Sequence, residues 1–503
     1  MTLNMNTPLA RTSRDRRRSA LPVDPYRILF VIGALLLLLS LFMIPPMLVD
    51  VLAQNPDWHV FAVSALITGF AGLMLALISR DAFSDRVLVR EGFLLTVTSW
   101  LAVSLAAALP YLLYNEGKGF ADAWFEAVSG LTTTGSTVFT GLDSMPPGIL
   151  LWRSLTQWIG GIGIVVMALI MLPFLRIGGM QLFQTESSDR SDKLLPRAQQ
   201  FIAGLTAAYL VLTITCALAY KMAGMRLFDA LNHALTTIST GGFSTHDASM
   251  GFFTQPAIHW VATFYMLASS VPLVLYLRFF QERRLSVFAD AQVLGFFRIV
   301  VFFILLLVGW RVLIRQDPLL VALRETAFNV SAIISTTGYA LGDFTQWGTL
   351  SVMAFFAIMF LGGCTGSTAG GMKIFRLQIM RMAMAAHLKR LVSPHRVVTI
   401  NYQGRSVTQE IVASVFAFVS AMFATVLVFA VLVSATGVEF VTALSAAVTA
   451  VTNVGPGLGD IIGPSGNFAT LPDLSKIFLA IAMLLGRLEF FTLLVVLTPA
   501  FWK

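Results

Sequence analysis

The sequence is poor in charge: Asp, Glu, Lys and Arg make up 12% of its 503 residues, whereas hydrophobic residues make up 57%. An ordinary globular domain carries about twice that share of charge, so the composition excludes a typical soluble protein. Cysteine is also scarce, and Cys216 and Cys364 show neither metal-ligand nor disulfide spacing. The chain lacks a zinc-protease pair, a Ser–His pair at useful spacing and a dinucleotide fingerprint. We therefore predict neither an enzyme nor a cofactor in this chain.

Long uncharged runs dominate what remains. Most of them reach the roughly 20 residues that a hydrocarbon layer of about 30 Å requires. The runs lie at 28–49, 60–79, 92–115, 154–175, 201–220, 261–277, 350–372 and 411–438. Two further segments are less clean: 299–313 contains Arg311, and 477–499 contains Arg487 and Glu489. Together they predict an all-α polytopic membrane protein with ten spans and both termini on one side.

The net charge of +8 follows the same topology. With the N-terminus inside, the predicted inner segments hold 24 of the 34 Lys and Arg residues, and the outer segments hold 8. This bias is the positive-inside rule and predicts that both termini are cytoplasmic. The excess of basic residues is therefore explained by membrane topology and does not indicate a nucleic-acid partner.

The chain contains a fourfold internal repeat. Residues 1–27 are predicted to form a cytoplasmic tail, and 28–80 form two transmembrane helices outside the repeat. The four units lie at 90–176, 200–280, 291–390 and 409–500. Each unit reads as a span, a re-entrant segment, a glycine turn and a second span, so the fold is predicted to be four pseudo-symmetric repeats around one pore.

The glycine turns are the common element of the four units. Their glycines are Gly135, Gly241, Gly338 and Gly455, spaced by 106, 97 and 117 residues. We expect each of these glycines to adopt backbone angles that a β-carbon would oppose. Helix C-caps would explain any single turn, but they do not explain four turns in equivalent positions, each preceded by Thr, Ser or Asn. Such turns suit a cation filter, in which backbone carbonyls replace the hydration shell of an ion. Non-helical backbone at membrane depth also requires protein or a water-filled cavity around it.

Other positions support the register of the repeat. Nine residues before the four glycines stand Glu126, Asn232, Asn329 and Ala446. An aspartate follows each turn, which suggests an electrostatic funnel for cations. These aspartates are Asp143, Asp247, Asp343 and Asp460.

Two features depart from the fourfold pattern. Five glycines interrupt the second span of the third unit and predict a break in its helix. They are Gly362, Gly363, Gly366, Gly370 and Gly371. The alternative is close helix packing by small residues. Arg487 lies within the last span, where a charge is costly; it either reaches the pore or is satisfied by snorkelling or by loop carbonyls.

The motifs at 453–460, 362–373 and 485–489 resemble the Trk/Ktr/HKT superfamily of potassium uptake systems. The two extra N-terminal helices favour the bacterial TrkH type. The resemblance implies that K⁺ is the transported ion, that the glycine-rich loop and Arg487 gate the pore, and that the protein lies in the bacterial inner membrane. It also implies a homodimer and a TrkA-like cytosolic nucleotide-binding subunit as partners. The implied potassium-binding residues are Thr133, Thr134, Gly135, Ser239, Thr240, Gly241, Thr336, Thr337, Gly338, Asn453, Val454 and Gly455.

Two alternatives stay open. None of the turns is a full Thr-Val-Gly-Tyr-Gly, the potassium-channel signature, so a sodium-coupled or weakly selective monovalent cation transporter is the runner-up. An intramembrane enzyme would need a catalytic dyad within the spans, and Arg487 with Glu489 is the polar cluster that the last span offers.

Overall fold

The computed structural model describes residues 23–80, 89–114, 117–171, 194–284, 287, 289–395, 398–403, 405–488 and 490–502. Most of the predicted tail and Glu489 lie outside these residues. The first helices are α1 (Pro25–Phe42), α2 (Ile44–Leu52), α3 (Trp58–Ser79), α4 (Val89–Ala107), α5 (Leu109–Tyr114), α6 (Phe120–Leu131), α7 (Pro147–Met171), α8 (Leu194–Met222), α9 (Leu227–Ile238) and α10 (Pro256–Ser269).

The second half of the chain continues the helical pattern. Its helices are α11 (Leu273–Glu282), α12 (Ala291–Leu313), α13 (Leu319–Ile334), α14 (Thr349–Met359), α15 (Ile374–Val392), α16 (Gln409–Ser434), α17 (Phe440–Thr452), α18 (Asp473–Arg487), α19 (Phe490–Leu497) and α20 (Pro499–Trp502). A two-stranded antiparallel ribbon, β1 (Asn401–Tyr402) and β2 (Arg405–Ser406), lies between α15 and α16.

The apolar runs form long helices. Six described helices are long and apolar enough to cross a membrane, and the bent pair α10–α11 would make a seventh. The predicted spans at 350–372 and 477–499 are shorter helices, α14 and then α18 with α19. The side chains of α7 beyond residue 164 are not described. The count of ten spans and the sidedness of the termini therefore remain predictions.

Four short helices, α6, α9, α13 and α17, form the centre of the molecule. They have 12 to 16 residues each, which gives them lengths of only about 18–24 Å. Such helices are too short to cross a hydrocarbon layer of about 30 Å. Most of their residues, including those of their last turns, are buried by the longer helices around them, so each can end in the interior of the protein.

The helices before the repeats pack closely against one another and against the first repeat. A β-carbon on Gly33 of α1 would meet Gly72 O of α3 at 2.8 Å, and the reverse contact is equally close. Small residues allow this kind of approach in membrane proteins. Asp50 of α2 is fully buried and accepts a hydrogen bond of 2.7 Å from Gly148 N, in the first turn of α7. The carboxylate thus joins the N-terminal helices to the positive end of α7.

Two of the membrane helices are interrupted. In the third repeat, residues 360–373 are non-helical between α14 and α15. In the second repeat, α10 and α11 meet at an angle of 90°. The apolar run 261–277 predicts one continuous span, and the structure differs because Pro272, which cannot donate a backbone hydrogen bond, directly precedes the second helix. Both interruptions lie next to the C-terminal ends of the short central helices.

Candidate ion-binding site

The four central helices end in the same backbone turn. A non-glycine residue in each turn adopts the left-handed region, with φ between 53° and 57°. The residue after it donates its N–H to the carbonyl five positions earlier, which is the bond of a Schellman cap. The left-handed residues are Thr133, Thr240, Thr336 and Asn453, and the bonded pairs are Thr134–Ser129, Gly241–Thr236, Thr337–Ala332 and Val454–Thr449. Three of the left-handed residues are β-branched threonines, for which this conformation is strained.

This geometry corrects the register of the second turn. Gly135, Gly338 and Gly455 have positive φ, as expected of them, but Gly241 does not; Gly242 has φ +78°. The equivalent of Gly135 is therefore Gly242, and the expectation of a left-handed backbone at Gly241 was wrong by one residue. Consecutive glycines at 241 and 242 gave the sequence no means of choosing between them. Ser239 is the C-cap of α9, one position before the left-handed Thr240.

The four turns close into a ring. A β-carbon built on each positive-φ glycine would lie closer than 3.0 Å to a carbonyl oxygen of the next repeat, and the fourth glycine meets the first repeat. The pairs are Gly135 with Gly241, Gly242 with Thr337, Gly338 with Val454, and Gly455 with Thr134. Side-chain bonds join the fourth and first turns as well: Asn453 Nδ2 donates to Thr134 Oγ1 at 2.9 Å, and Ser136 Oγ donates to Gly455 O at 2.7 Å. Only glycine fits at these four positions.

Each central helix also contacts the segment that follows its own turn. We call this side of the ring, formed by residues 136–139, 243–245, 339–341 and 456–458, the post-turn face. The contacts are Glu126 Oε2 with Val138 N (2.9 Å), His233 Nε2 with Ser244 Oγ (3.0 Å), Asn329 Oδ1 with Leu341 N (3.2 Å) and Ser445 Oγ with Leu458 N (3.0 Å). In the second repeat His233, nine residues before Gly242, makes this contact, whereas Asn232 bonds within its own helix. In the fourth repeat Ser445 makes the contact rather than Ala446.

The glycine-rich loop lies on the opposite side of the ring, which we call the loop face. Gly370 N donates to Thr336 Oγ1 at 2.6 Å, and Gly371 N donates to Thr452 O at 2.8 Å. Thr368 Oγ1 donates to Ile238 O at 3.0 Å. Three central helices are thus contacted by one loop of 14 residues (360–373). A β-carbon on Gly370 would come closer than 3.0 Å to Thr452 O, so the loop lies directly against the turn.

The loop also forms hydrogen bonds with backbone groups at the break between α10 and α11 in the second repeat. Cys364 N donates to Ser270 O at 2.9 Å, and Leu273 N donates to Gly366 O at 3.0 Å. These are backbone groups that the ends of α10 and α11 would otherwise leave unpaired. The interrupted segments of repeats 2 and 3 therefore supply hydrogen-bond partners to each other. Pro272, directly after Ser269, Ser270 and Val271, was the sequence signal for the first of them.

Arg487 ends α18 beside this loop. Its side chain is 4% exposed, and Nη1 donates to Thr368 O at 3.1 Å. Among the described residues, Nε and Nη2 have no hydrogen-bond partner. One loop carbonyl is therefore the polar contact that the structure shows for this charge, which agrees in part with the expectation of loop carbonyls. Gly486 contacts the fourth turn: a β-carbon there would lie 3.0 Å from Asn453 Oδ1.

Three of the four aspartates that follow the turns have local partners. Asp143 contacts His246 Nδ1 at 2.5 Å, and Asp247 accepts from Gly141 N at 3.0 Å. Asp343 caps a short 3₁₀ helix through Thr345 N. The Asp229 carboxylate lies 3.5 Å from His246 Nε2. The first two aspartates thus tie the loops of repeats 1 and 2 together, and the predicted electrostatic funnel remains a prediction.

Fold and site together define a helical membrane protein in which four quasi-equivalent turns form one ring, closed on one side by a loop. A family model described as TrkH, cation transport protein, matches residues 61–503. The chain belongs to this family of cation transport proteins.

Individual relatives agree with this assignment over nearly the whole chain. The Trk system potassium uptake protein TrkI of Halomonas elongata is 42% identical, covering 95% of this chain and 96% of the relative. The Trk system potassium uptake protein TrkH of Escherichia coli K12 is 36% identical, covering 94% and 98%. The crystal structure of the potassium transporter TrkH from Vibrio parahaemolyticus superposes with a TM-score of 0.88 at 35% identity, covering 95% of this chain and 99% of that one. The all-α membrane fold predicted from the sequence is confirmed.

Proposed function

We propose that this protein takes potassium into the cell through the ring of four turns. The observation that carries the proposal is the closed set of glycine–carbonyl contacts, which brings one backbone turn from each repeat to a common centre. Rings of backbone carbonyls can replace the hydration shell of K⁺. Relatives that are 36–42% identical are named potassium uptake proteins, which supports potassium as the cargo.

The proposed potassium-binding residues are those expected from the sequence, with Gly242 added. The left-handed residue and the residue after it supply the carbonyl groups of each turn. In the second repeat these are Thr240 and Gly241, so Ser239 lies one position further from the ring than expected. No step of the proposal requires a cofactor or an enzymatic reaction in this chain.

The loop at 360–373 is the proposed gate. Two of its backbone N–H groups bond to Thr336 and Thr452, and the hydroxyl of Thr368 bonds to Ile238, so the loop contacts the ends of three of the four central helices. An ion leaving the ring on the loop face would meet this backbone and the charge of Arg487. We expect the loop to withdraw for conduction, with Gly370 and Gly371 allowing the change of backbone. Gly371 already has a positive φ of 65°.

Partners and location follow from the same proposal. A TrkA-like cytosolic nucleotide-binding subunit would control the loop, and the membrane subunit would act as a homodimer in the bacterial inner membrane. The basic segment 373–405, with seven Lys and Arg residues, suits the cytosolic side. The alternative, a weakly selective or sodium-coupled transporter, is favoured by the turns themselves, since none carries the potassium-channel signature.

Ion flux through the reconstituted full-length chain tests the proposal. We would measure uptake of K⁺, Rb⁺ and Na⁺ into liposomes for the unmodified protein and for Gly338→Ala. A β-carbon at residue 338 collides with Val454 O and opposes a φ of +77°, so potassium flux should fall at least about tenfold.

The matched control is Gly437→Ala. Gly437 also has a positive φ, +92°, but a β-carbon there meets nothing within 4 Å. This variant measures how much flux is lost when backbone strain is introduced away from the ring. If Gly338→Ala leaves potassium flux and ion preference unchanged, the ring is not the ion path. Equal loss in both variants would assign the effect to strain alone.

A further inference from the structure

A buried ion pair lies behind the post-turn face of the ring. Arg153 of α7 is 1% exposed and Glu126 of α6 is fully buried, with Nε and Oε1 2.8 Å apart. Burying two charges is expensive unless good geometry and further hydrogen bonds satisfy both groups. The additional partners of the pair therefore show which part of the protein it organises.

The partners of Glu126 lie directly after the first turn. Its carboxylate accepts hydrogen bonds from Thr137 Oγ1 at 2.9 Å and from Val138 N at 2.9 Å. Arg153 Nη2 also donates to Thr137 Oγ1, at 3.1 Å. The ion pair therefore fixes the segment that leaves Gly135, two and three residues beyond it.

The other contacts of α7 reach the second repeat. Arg153 Nη1 donates to Ser244 O at 2.8 Å, and its guanidinium lies 4.2 Å from the centre of the Phe243 ring. One helical turn later, Gln157 Nε2 donates to Gly241 O at 2.7 Å and Gln157 Oε1 accepts from Phe243 N at 3.0 Å. Gly241 O is also the oxygen against which Gly135 packs. One face of α7 thus holds both turns of a single glycine–carbonyl contact.

The other three repeats use uncharged groups at the equivalent contact. Asn329 and Ser445 bond the backbone after their turns, and His233 contacts a serine hydroxyl. Charge-assisted hydrogen bonds are roughly twice as strong as neutral ones, and the guanidinium presents its donors in a fixed planar fork. The junction of repeats 1 and 2 is therefore held by stronger and more directional bonds than the neutral contacts elsewhere behind the ring.

We propose that Glu126, Arg153 and Gln157 are positioning residues that set the ion preference of the ring by fixing Gly241 O relative to Gly135. The inference rests on the proposed function of the ring. Discrimination between K⁺ and Na⁺ depends on how firmly and at what spacing carbonyl groups are held. If this network loosens, Gly241 O can approach a smaller ion, and sodium passes more readily relative to potassium.

The test compares ion ratios rather than total flux. Gln157→Met keeps the volume of the side chain and removes both bonds to the second turn, while Arg153→Lys keeps the charge and loses the fork. The Na⁺ to K⁺ uptake ratio in liposomes should rise roughly tenfold in either variant, the order of magnitude that one or two lost buried hydrogen bonds supports. A purely structural role would lower both fluxes together and leave their ratio unchanged.

Glu325→Gln is the matched control. Glu325 pairs with Arg311 at 2.8 Å on the third repeat, and its side chain does not contact the ring in the described structure. We expect its ion ratio to match that of the unmodified protein. An unchanged ratio in Gln157→Met would overturn the inference even if Arg153→Lys failed to fold. If the unmodified protein and Gly338→Ala did not differ in potassium flux, the proposed ring function itself would fail, which is a separate result.

Discussion

Two buried arginines lie on opposite faces of the ring, and their surroundings differ sharply. Arg153, on the post-turn face, has a carboxylate, a backbone carbonyl, a hydroxyl and an aromatic ring as partners. Arg487, on the loop face, has one carbonyl, and two of its nitrogens have no partner in the described structure. A buried charge that is not fully paired is costly. The first arginine therefore suits a structural brace, and the second suits an action on something that passes nearby.

The loop face is also held together by weaker contacts than the post-turn face. Its contacts are mostly single hydrogen bonds between backbone groups or from hydroxyls, and the loop itself has five glycines. Glycine gives the backbone more conformational freedom than any other residue does. The post-turn face is held by the ion pair, Gln157 and the neutral contacts of the central helices. The ring thus has one face suited to holding its geometry and another suited to movement.

The same substitution at both arginines should give opposite results. Arg153→Met leaves Glu126 buried without its partner, which costs about 3–5 kcal/mol, so the melting temperature in detergent should fall markedly. Arg487→Met removes an under-partnered charge and one bond to the loop. We expect it to retain stability and to raise basal potassium flux about tenfold, the effect of about 1.4 kcal/mol on the gate.

Thermal melting and liposome flux, measured on both variants, check this contrast. Equal destabilisation by the two substitutions would show that Arg487 is also a structural residue. Unchanged flux in Arg487→Met would remove it from the permeation path. The comparison is direct because both side chains are buried and receive the same replacement.

A smaller effect should follow from one hydroxyl of the loop. Thr368 Oγ1 donates to Ile238 O at 3.0 Å and lies 3.3 Å from Ser269 O, so it joins the loop to the second repeat. Thr368→Val keeps the shape and removes this hydrogen bond, whose net contribution is about 0.5–1.5 kcal/mol. Basal flux without a cytosolic partner should rise by a factor of about three to ten.

Thr365→Val is the control in the same loop. Thr365 Oγ1 has no hydrogen-bond partner among the described residues, so removing it should leave basal flux unchanged. The loop would not be a gate if Thr368→Val and Thr365→Val gave the same flux as the unmodified protein.

The sequence was sufficient to predict the class of fold and the four turns, because apolar runs and repeated glycines are local signals. It was insufficient where a contact joins different repeats. Gly242 rather than Gly241 lies against the carbonyl oxygen of Thr337, and this contact with a residue about 100 positions away leaves no local signal in the sequence. Glu126 belongs to the nine-residue register of the repeat, whereas its partner Arg153 lies outside that register. Arg153 lies just before the uncharged run 154–175, and a charge so close to a span was the available signal.

The smallest expected effect concerns pH and the loops of repeats 1 and 2. Burial lowers the pKa of His246, but the carboxylates of Asp229 and Asp143 more than offset this, so its pKa is raised above 6.5. The folded protein therefore favours the charged imidazole. This contribution to stability is fully present below the unfolded pKa of about 6.5 and is lost as pH rises through the raised folded value. Because Asp143 is half exposed, solvent screening keeps the effect small.

His246→Gln should remove this pH dependence. We expect the melting temperature of the unmodified protein to fall slightly as the pH rises from 6 through the raised pKa of His246, and that of His246→Gln to be flatter over the same range. Potassium flux should change little in the variant, since His246 contacts Asp143 and the first turn of α9 rather than the ring turns. A large change in the Na⁺ to K⁺ uptake ratio would show instead that the geometry of the post-turn face depends on His246 as well as on Arg153. The charged contacts that fix the ring would then include His246 in addition to those of α7.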